Sequence, residues 1–379
     1  MAKINILLFG KKGRGLDKPG GAARAMFEYA NHLAERNHKV NIFISACNFH
    51  PQQYKFYDNY QEAGWSWWKY FEKKISIQKH IRLLIATCKG KIELNPEWFN
   101  VKTKIFLVPS FAQKHIPEAD ATIFTDWWMN LWTKDYPDNR GKKIWFIHTV
   151  FFLPPTRNPQ KILSFPCKKV VVSNFMREGL RKYGVDEVYL VLNGVNLKQF
   201  YNENKVFNKN KRVCMIYFPF SASFKGVKDG IKAFEIVKKK HPEIKLVMFG
   251  VEKPKEVIPC DEYYWNPSQE KIREIYSSCD IFLYPARYEA SALSPREAMA
   301  CKCAVVGTTA GGITDYALSE EEALLSEAGD VQALSANLLR LIENEELLKK
   351  ISLAGYKKIC EFSWDNQTKK LEEIIFLSK

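Results

Sequence analysis

Short apolar runs separated by amphipathic stretches recur along the whole chain. "INILLFG" (4–10), "KVNIFIS" (39–45), "KIFLVP" (104–109), "ATIFTD" (121–126), "IWFIH" (144–148) and "KVVVS" (169–173) have the length and apolar content of buried strands. Between the first two, "GGAARAMFEYANHLAERNH" sets Ala23, Met26, Phe27, Ala30 and Leu33 at a helical period. Strand, helix and strand in that order predict a βαβ unit and hence a parallel sheet. The second half repeats the grammar. "RVCMIYF", "KLVMFG", "DIFLYP" and "CAVVG" alternate with the helical patterns "GIKAFEIVKKKH", "SQEKIREIYSSC" and "PREAMACK".

This pattern predicts an α/β chain of two doubly wound, Rossmann-like domains, residues 1–195 and 196–362, followed by a C-terminal helix over 363–379. The polar, Asn-rich stretch 191–212 reads as the linker, and Asp365 as the cap of the last helix. The 379 residues agree with two domains. In such sheets ligands bind outside the carboxyl ends of the strands, so two domains present those ends to a common cleft.

Composition narrows the setting. The chain is 46% apolar and 26% charged, as soluble proteins are, and no run of about 18 apolar residues marks a membrane span. The start, "MAKINILLFGKKGRG", has a strand and a glycine-rich loop where a signal peptide would need a longer apolar region. Nine cysteines without a C-x-x-C suit a reducing cytosol and argue against a disulfide framework or structural zinc.

The net charge of +15 is unevenly spread. Residues 1–195 carry 30 Lys and Arg against 16 Asp and Glu, and residues 196–379 carry 27 against 26. The first domain therefore faces something anionic. Within its atypical stretch 46–103, residues 65–91 hold three tryptophans and a run of lysines. That segment is either an interfacial helix meeting anionic lipid or an amphipathic helix packed on its own sheet.

Several loops carry candidate chemistry. Gly20 and Gly21 precede the first helix, whose free amides suit an anion or polar group, although a Gly-Gly entering a helix is also an ordinary turn. His148 ends a strand, as a structural histidine or a hydrogen-bonding partner for a sugar hydroxyl. Lys225, before Gly226 and a helix, is a phosphate ligand or a solvated lysine; the helix dipole favours an anion between them. In "YEASALSPREAMACKCAVVGTTAGG", Ser294, Pro295 and Glu297 fit a capping box. That leaves Glu289 and the small residues Ala290, Ser291, Ala292 and Leu293 to explain. Such a turn admits a diphosphate against backbone amides, with Glu289 and Glu297 accepting hydrogen bonds from sugar hydroxyls on either side.

These residues resemble a known family. Glu289 and Glu297 form an E-x7-E spacing, and with "REAMACKCAVVGTTAGGITDY" the stretch is similar to the signature of the retaining GT-B glycosyltransferases of glycosyltransferase family 4. "VVVSNFMREGL", "LNGVNLKQF", "FKGVKDGIKAF", "SQEKIREIYSSCDIFLYPARYE" and "ALLSEAGDVQAL" agree in order and spacing, while residues 46–103 match least. The resemblance implies a GT-B fold and transfer of a sugar from a nucleotide-diphosphate sugar to a glycan or lipid-linked acceptor in cell-surface polysaccharide or glycolipid synthesis. The first domain would bind the acceptor, the second the donor, and the last helix would cross back onto the first.

It also implies residue roles. Glu297 would bind the ribose and Glu289 the donor sugar. The backbone at Ala290, Ser291, Ala292 and Leu293, with Lys225, would hold the diphosphate. Gly20 and Gly21 would close on the donor, and His148 would contact the transferred sugar. With no D-x-D, neither a metal nor another cofactor is expected, and leaving-group charge falls to Lys225 and helix N-termini.

There are departures from the pattern. Phe220 stands where the family often has an arginine, with Arg287 or Lys228 as substitutes, and Ala290, Ala292 and Lys302 replace glycines. A catalytically weakened GT-B subunit partnering another transferase is therefore the alternative. A GT-B epimerase or phosphorylase shares the fold. Nucleic-acid binding lacks a recognition motif. The setting expected is cytoplasmic, at the inner face of the cell membrane.

Overall fold

The structure, a computed structural model, describes residues 1–8, 20–46, 85, 91–96, 98–149 and 159–377. The chain divides into two compact units. Met1–Val172, Arg177–Val191 and Thr368–Lys379 form the first, and Ser173–Met176 with Leu192–Gln367 the second. The basic aromatic segment 65–91 lies outside the described residues, apart from Ile85 and Lys91.

The first unit is built on β1 (Lys3–Leu8), β2 (Lys39–Ser45), β3 (Ile92–Leu94), β4 (Lys104–Val108), β5 (Ala121–Phe124), β6 (Lys142–Ile147), β7 (Lys168–Val171) and β8 (Val188–Leu190). They lie in the order β3-β4-β2-β1-β5-β6-β7-β8, parallel except where β3 meets β4. From β1 the chain winds outward through β2, then restarts at β5 beside β1 and winds the other way. The switch point is therefore between β1 and β5. The helix between β1 and β2, α1 (Gly21–Glu35), buries Met26, Phe27, Ala30 and Leu33 of the stripe its sequence period marks, with Ala25 and Tyr29 beside them, while Ala23 is half-buried.

The second unit holds β9 (Arg212–Ile216), β10 (Lys245–Gly250), β11 (Glu262–Trp265), β12 (Ile281–Tyr284), β13 (Ala304–Thr308) and β14 (Ala323–Ser326), all parallel, in the order β11-β10-β9-β12-β13-β14. Its switch point is between β9 and β12. Alternate strand residues feed two cores. Val213, Met215, Leu246, Met248, Ile281 and Leu283 pack on one face. Cys214, Val247, Phe249, Phe282 and Tyr284 pack on the other. Both faces are covered, so these strands are apolar throughout rather than alternating.

The helices follow the strands. Besides two single-turn helices, Asn130–Thr133 and Gln160–Leu163, they are α2 (Asn174–Arg181), α3 (Val227–Lys238), α4 (Gln269–Ser278), α5 (Ser294–Ala300), α6 (Val331–Glu343), α7 (Glu345–Cys360) and α8 (Trp364–Phe376). No helix among the described residues is long and apolar enough to cross a membrane.

Three local expectations change. Ser363, not Asp365, caps α8, its Oγ accepting from the Asn366 amide at 3.2 Å. The Asn-rich stretch holds the division between the units, at Val191 and Leu192, and from Leu192 on it is packed into the second unit: Phe200 is fully buried there, and Val195 N–H donates to Phe362 O at 2.9 Å. The capping box at Ser294 does not form. Leu293 is the N-cap without a side-chain cap bond, and Ser294 is already helical.

The C-terminal segment is fastened within the first unit. Glu372 accepts from Arg36 Nε at 2.7 Å and from His38 Nε2 at 2.7 Å, while His38 Nδ1 accepts from the Ala2 amide. Lys142 Nζ holds the Ile375 and Leu377 carbonyls, each at 2.9 Å. Cations at a helix C-terminus satisfy its orphan carbonyls and complement its dipole.

Candidate functional site

The two loops at the switch point of the second unit are locked together. The Phe224 carbonyl, in the loop after β9, accepts from the amides of Arg287 (2.8 Å) and Tyr288 (3.1 Å), in the loop after β12. Gly226, at φ +65°, makes this approach feasible, since a Cβ there would lie 1.7 Å from Pro285 O. Across this seam Lys225 Nζ forms an ion pair with Glu289 Oε2. The ammonium also lies 4.8 Å from the Phe218 ring centre and 5.4 Å from that of Phe224. The anion that a lysine beside a helix N-terminus calls for is thus supplied by Glu289. The other Glu289 oxygen accepts from the Ala290 amide at 3.0 Å.

Beyond Glu289 the turn is gripped from two sides. Gly311, at φ +69°, brings its backbone against Glu289, where a Cβ would lie 1.7 Å from Glu289 O. Gly312 packs on Ala290 O, so the glycine pair "AGG" is a requirement of close approach to this loop. From beneath, Arg296 on α5 is wholly buried. Its NH1 donates to Ser291 Oγ at 3.0 Å and to Ala292 O at 2.6 Å, and its guanidinium lies 4.1 Å over the Tyr316 ring. With the carbonyl side of the turn held inward, the amides of Ser291, Ala292 and Leu293 find no acceptor among the described residues. Glu297 begins the second turn of the helix and is buried. The sequence reading does not single out Arg296; its signal is a guanidinium one position before Glu297 on a short helix otherwise of small and apolar residues.

Of the two cations offered in place of an arginine at 220, the structure separates them. Arg287 is held by Asp229, with Nε to Oδ2 at 2.6 Å and NH2 to Oδ1 at 2.9 Å. Lys228, exposed on the first turn of α3, lies 4.9 Å over the Phe220 ring.

The remaining candidates belong to the first unit. Gly20 is the N-cap of α1 in extended conformation, and nothing lies within 4 Å of a Cβ at Gly20 or Gly21. His148 follows the carboxyl end of β6, its Nε2 3.2 Å from Met26 Sδ and its ring 4.4 Å from that of Phe146. Burial against these groups pushes its imidazole down to about 3, so the ring is neutral at physiological pH. Asp126, two residues past β5, lies at this unit's switch point, and no sequence pattern marks it. Burial raises its carboxyl to about 6, against one hydrogen bond from Thr125 Oγ1 at 3.0 Å. A cavity of about 750 Å³ in this unit, lined by Lys3, Asp120, Asp138 and Lys142, lies at the amino ends of β5 and β6, the edge opposite these groups.

No cluster of three or more metal-ligating side chains occurs among the described residues. Cys301 and Cys303 are wholly buried, with the Cys303 thiol donating to Tyr276 O at 2.9 Å.

Two family models match the chain in tandem: Glycosyltransferase Family 4 over residues 19–199 and Glycosyl transferases group 1 over residues 198–358. An uncharacterized glycosyltransferase of Bacillus subtilis, YqgM, is 24% identical over 204 residues, 50% of this chain and 55% of that protein. The capsular polysaccharide biosynthesis glycosyltransferase CapM of Staphylococcus aureus is 25% identical over 182 residues, 44% of this chain and 48% of CapM. The chain thus matches about half the length of these relatives. Among solved structures, Anabaena HepE in complex with UDP and glucose superposes with a TM-score of 0.67 at 14% identity, covering 98% of this chain and 99% of that one. The likeness shows the fold, GT-B.

Proposed function

The chain belongs to the group 1 and family 4 glycosyltransferases, and on that premise we propose that it moves a sugar from a nucleotide-diphosphate sugar to a glycan or lipid-linked acceptor, with retention of configuration and without a metal. One observation carries this reading: Lys225, Glu289, Glu297 and the amides of Ser291, Ala292 and Leu293, which have no acceptor among the described residues, lie at one edge of one sheet, at its switch point. A diphosphate there meets an ammonium and a row of N–H donors, and sugar hydroxyls meet two carboxylates.

In this reading the bond between the sugar anomeric carbon and the diphosphate oxygen breaks as the acceptor oxygen bonds to the same face. The acceptor proton passes to the departing phosphate oxygen. Lys225 and the amides stabilise the charge that develops on the leaving group. Glu289, itself in an ion pair, orients hydroxyls rather than attacking. His148, neutral, offers a hydrogen bond to the transferred sugar without adding charge, and the amides after Gly20 and Gly21 are the first unit's contribution to donor binding.

A role in cell-surface polysaccharide or glycolipid synthesis is supported by the relationship to CapM. The basic first half, 30 cations to 16 anions, suits an acceptor at an anionic membrane surface, with the enzyme on its cytoplasmic side. Phe220 supports a second reading, a weakened subunit that partners an active transferase. The test is thermal stabilisation by UDP-, GDP-, dTDP- and CDP-sugars without added metal, in wild type and Glu297→Ala. Stabilisation by one nucleotide class, lost in Glu297→Ala, supports the donor site; no stabilisation by any favours the partner subunit.

A further inference from the structure

Asp126 follows β5 by two residues, at the switch point of the first sheet, and its carboxyl has little structural use. It precedes a 3-10 turn, Trp127–Met129, but makes no side-chain bond to cap it. Its one hydrogen bond among the described residues comes from Thr125 Oγ1 at 3.0 Å, although a carboxylate offers roughly four lone-pair sites. Part of its surface stays open. We propose that Asp126 holds the reacting hydroxyl of the acceptor, and that the reacting end of the acceptor is a neutral sugar rather than a phosphate-bearing group; the inference rests on the nucleotide-sugar reading above and narrows its acceptor.

A transfer between two substrates needs groups for the acceptor besides those that meet the donor, and the donor candidates lie at the switch point of the second sheet. In a doubly wound sheet the other position for a ligand is outside the carboxyl ends of the strands at its own switch point. Asp126 is there in the first sheet, with His148 at the end of the neighbouring strand β6. The backbone that carries Asp126 is pinned: the wholly buried Trp145 donates from Nε1 to Thr125 O at 3.1 Å, and Trp127 and Trp128 are buried after it. A carboxyl on a fixed backbone is a pre-organised acceptor for a hydroxyl. Raised to about 6, it is ionised at neutral pH, so it attracts hydroxyl donors and repels phosphate. His148 is neutral, and the described residues at the carboxyl ends of these two strands, 125–128 and 148–149, include no lysine or arginine to offset that repulsion. A buried charge that costs stability and caps nothing is the pattern of a group kept for binding. Asp126 orients the hydroxyl, and its proton still leaves to the departing phosphate oxygen.

The test uses the nucleotide sugar that wild type binds most tightly by calorimetry. Transfer from it is measured onto the methyl glycosides of glucose, galactose, mannose and N-acetylglucosamine, and onto the 1-phosphates of the same sugars, which differ from them in charge at one position. Wild type is expected to use at least one methyl glycoside and to disfavour the phosphates. Asp126→Asn keeps the shape and loses the charge. Its acceptor KM should rise roughly tenfold, the scale of a charge-assisted hydrogen bond, with donor KM unchanged within about twofold. The preference for neutral over phosphorylated acceptor should fall in Asp126→Asn and persist in Asp126→Glu, a split that a purely structural residue would not give. Preferred transfer to the phosphates, or transfer to no methyl glycoside, overturns the substrate class. Unchanged acceptor KM in Asp126→Asn, or donor and acceptor KM rising together, overturns the role of Asp126 while the donor site stands. If wild type binds no nucleotide sugar, the donor-site reading falls and this inference with it.

Discussion

Lys225 and Glu289 face each other across the seam between the loops after β9 and β12, and each is the other's charged partner. Both therefore have a partner to give up when a donor binds. Lys225→Ala removes the ammonium that meets the diphosphate and leaves Glu289 without its counter-ion. It is expected to weaken donor binding by about 10–100-fold, the scale of a charge-assisted hydrogen bond. Glu289→Gln releases Lys225 and keeps an acceptor for hydroxyls. Binding of the bare nucleoside diphosphate should hold or tighten, while turnover of the sugar donor falls. Calorimetry with diphosphate alone, set beside steady-state kinetics with the sugar donor, separates the two. Loss of bare diphosphate binding in Glu289→Gln would sink the assignment of that carboxylate to the sugar.

Arg296 supports the turn it lies under. Its guanidinium satisfies Ser291 Oγ and Ala292 O from within the core and stacks on Tyr316. Arg296→Met fills much of the volume but leaves those oxygens without their donor, a cost of about 1–3 kcal/mol. Lys is a poor substitute: its ammonium has donors enough for both oxygens, but it has no planar face to stack on the Tyr316 ring. Both variants are expected to lower the melting temperature and raise the donor KM, because the amides above lose their orientation. A variant that loses stability at unchanged donor KM would show that the turn orders itself.

How much of this was legible in the sequence depends on how local the signal is. Buried strands such as "INILLFG" and "DIFLYP" are apolar on both faces and visible as runs, and α1 is visible by its period. None of the four edge strands, β3, β8, β11 and β14, was foreseen; β14 is largely buried but only four residues long. At the sheet margin, residues such as Val188, Tyr189 and Tyr263 are only half-buried, so no apolar run marks them. The ligand-facing role offered for Lys225 came with a helix-dipole argument; the structure adds that Glu289, 64 residues away, meets the same need. Arg296 and Asp126 stayed hidden because a single charged residue announces its burial only when the fold surrounds it.

The glycines divide by what surrounds them. Gly311→Ala would put a Cβ 1.7 Å from Glu289 O at a positive φ, so the loop must move. The expected result is a loss of more than about 1 kcal/mol in stability, with weakened donor binding. Gly21 opens α1 and has nothing within 4 Å of a Cβ. Gly21→Ala should therefore hold or raise stability, by up to about 1 kcal/mol from helix propensity. If the amides there approach the donor, the same methyl group lowers donor affinity. Thermal melts paired with donor titrations read both effects, and unchanged donor affinity in Gly21→Ala would remove this helix start from the donor site.

Asp126 and His148 give the first unit two pH dependences of opposite sign. Burial raises the Asp126 carboxyl from 3.8 to about 6, so between those values the folded state holds its proton more tightly than the unfolded chain. Stability from this group therefore falls as pH rises from about 4 to 6 and is level above. His148 runs the other way. Burial lowers it from 6.5 to about 3, the folded state binds fewer protons, and stability is lost as pH falls below 6.5. In the overlap the two partly cancel, so wild type should be flatter than either variant. Asp126→Asn should be neutral near pH 4 and stabilising at pH 7.5. The gain stays under about 3 kcal/mol, because a tenfold change in proton affinity is worth about 1.4 kcal/mol. His148→Gln should reduce the acid loss. Urea denaturation of the three proteins at pH 4, 6 and 7.5 checks both signs. A constant gap between wild type and Asp126→Asn across that range would mean that the carboxyl titrates alike in folded and unfolded chains. The upward shift assigned to the Asp126 carboxyl would then have to be withdrawn.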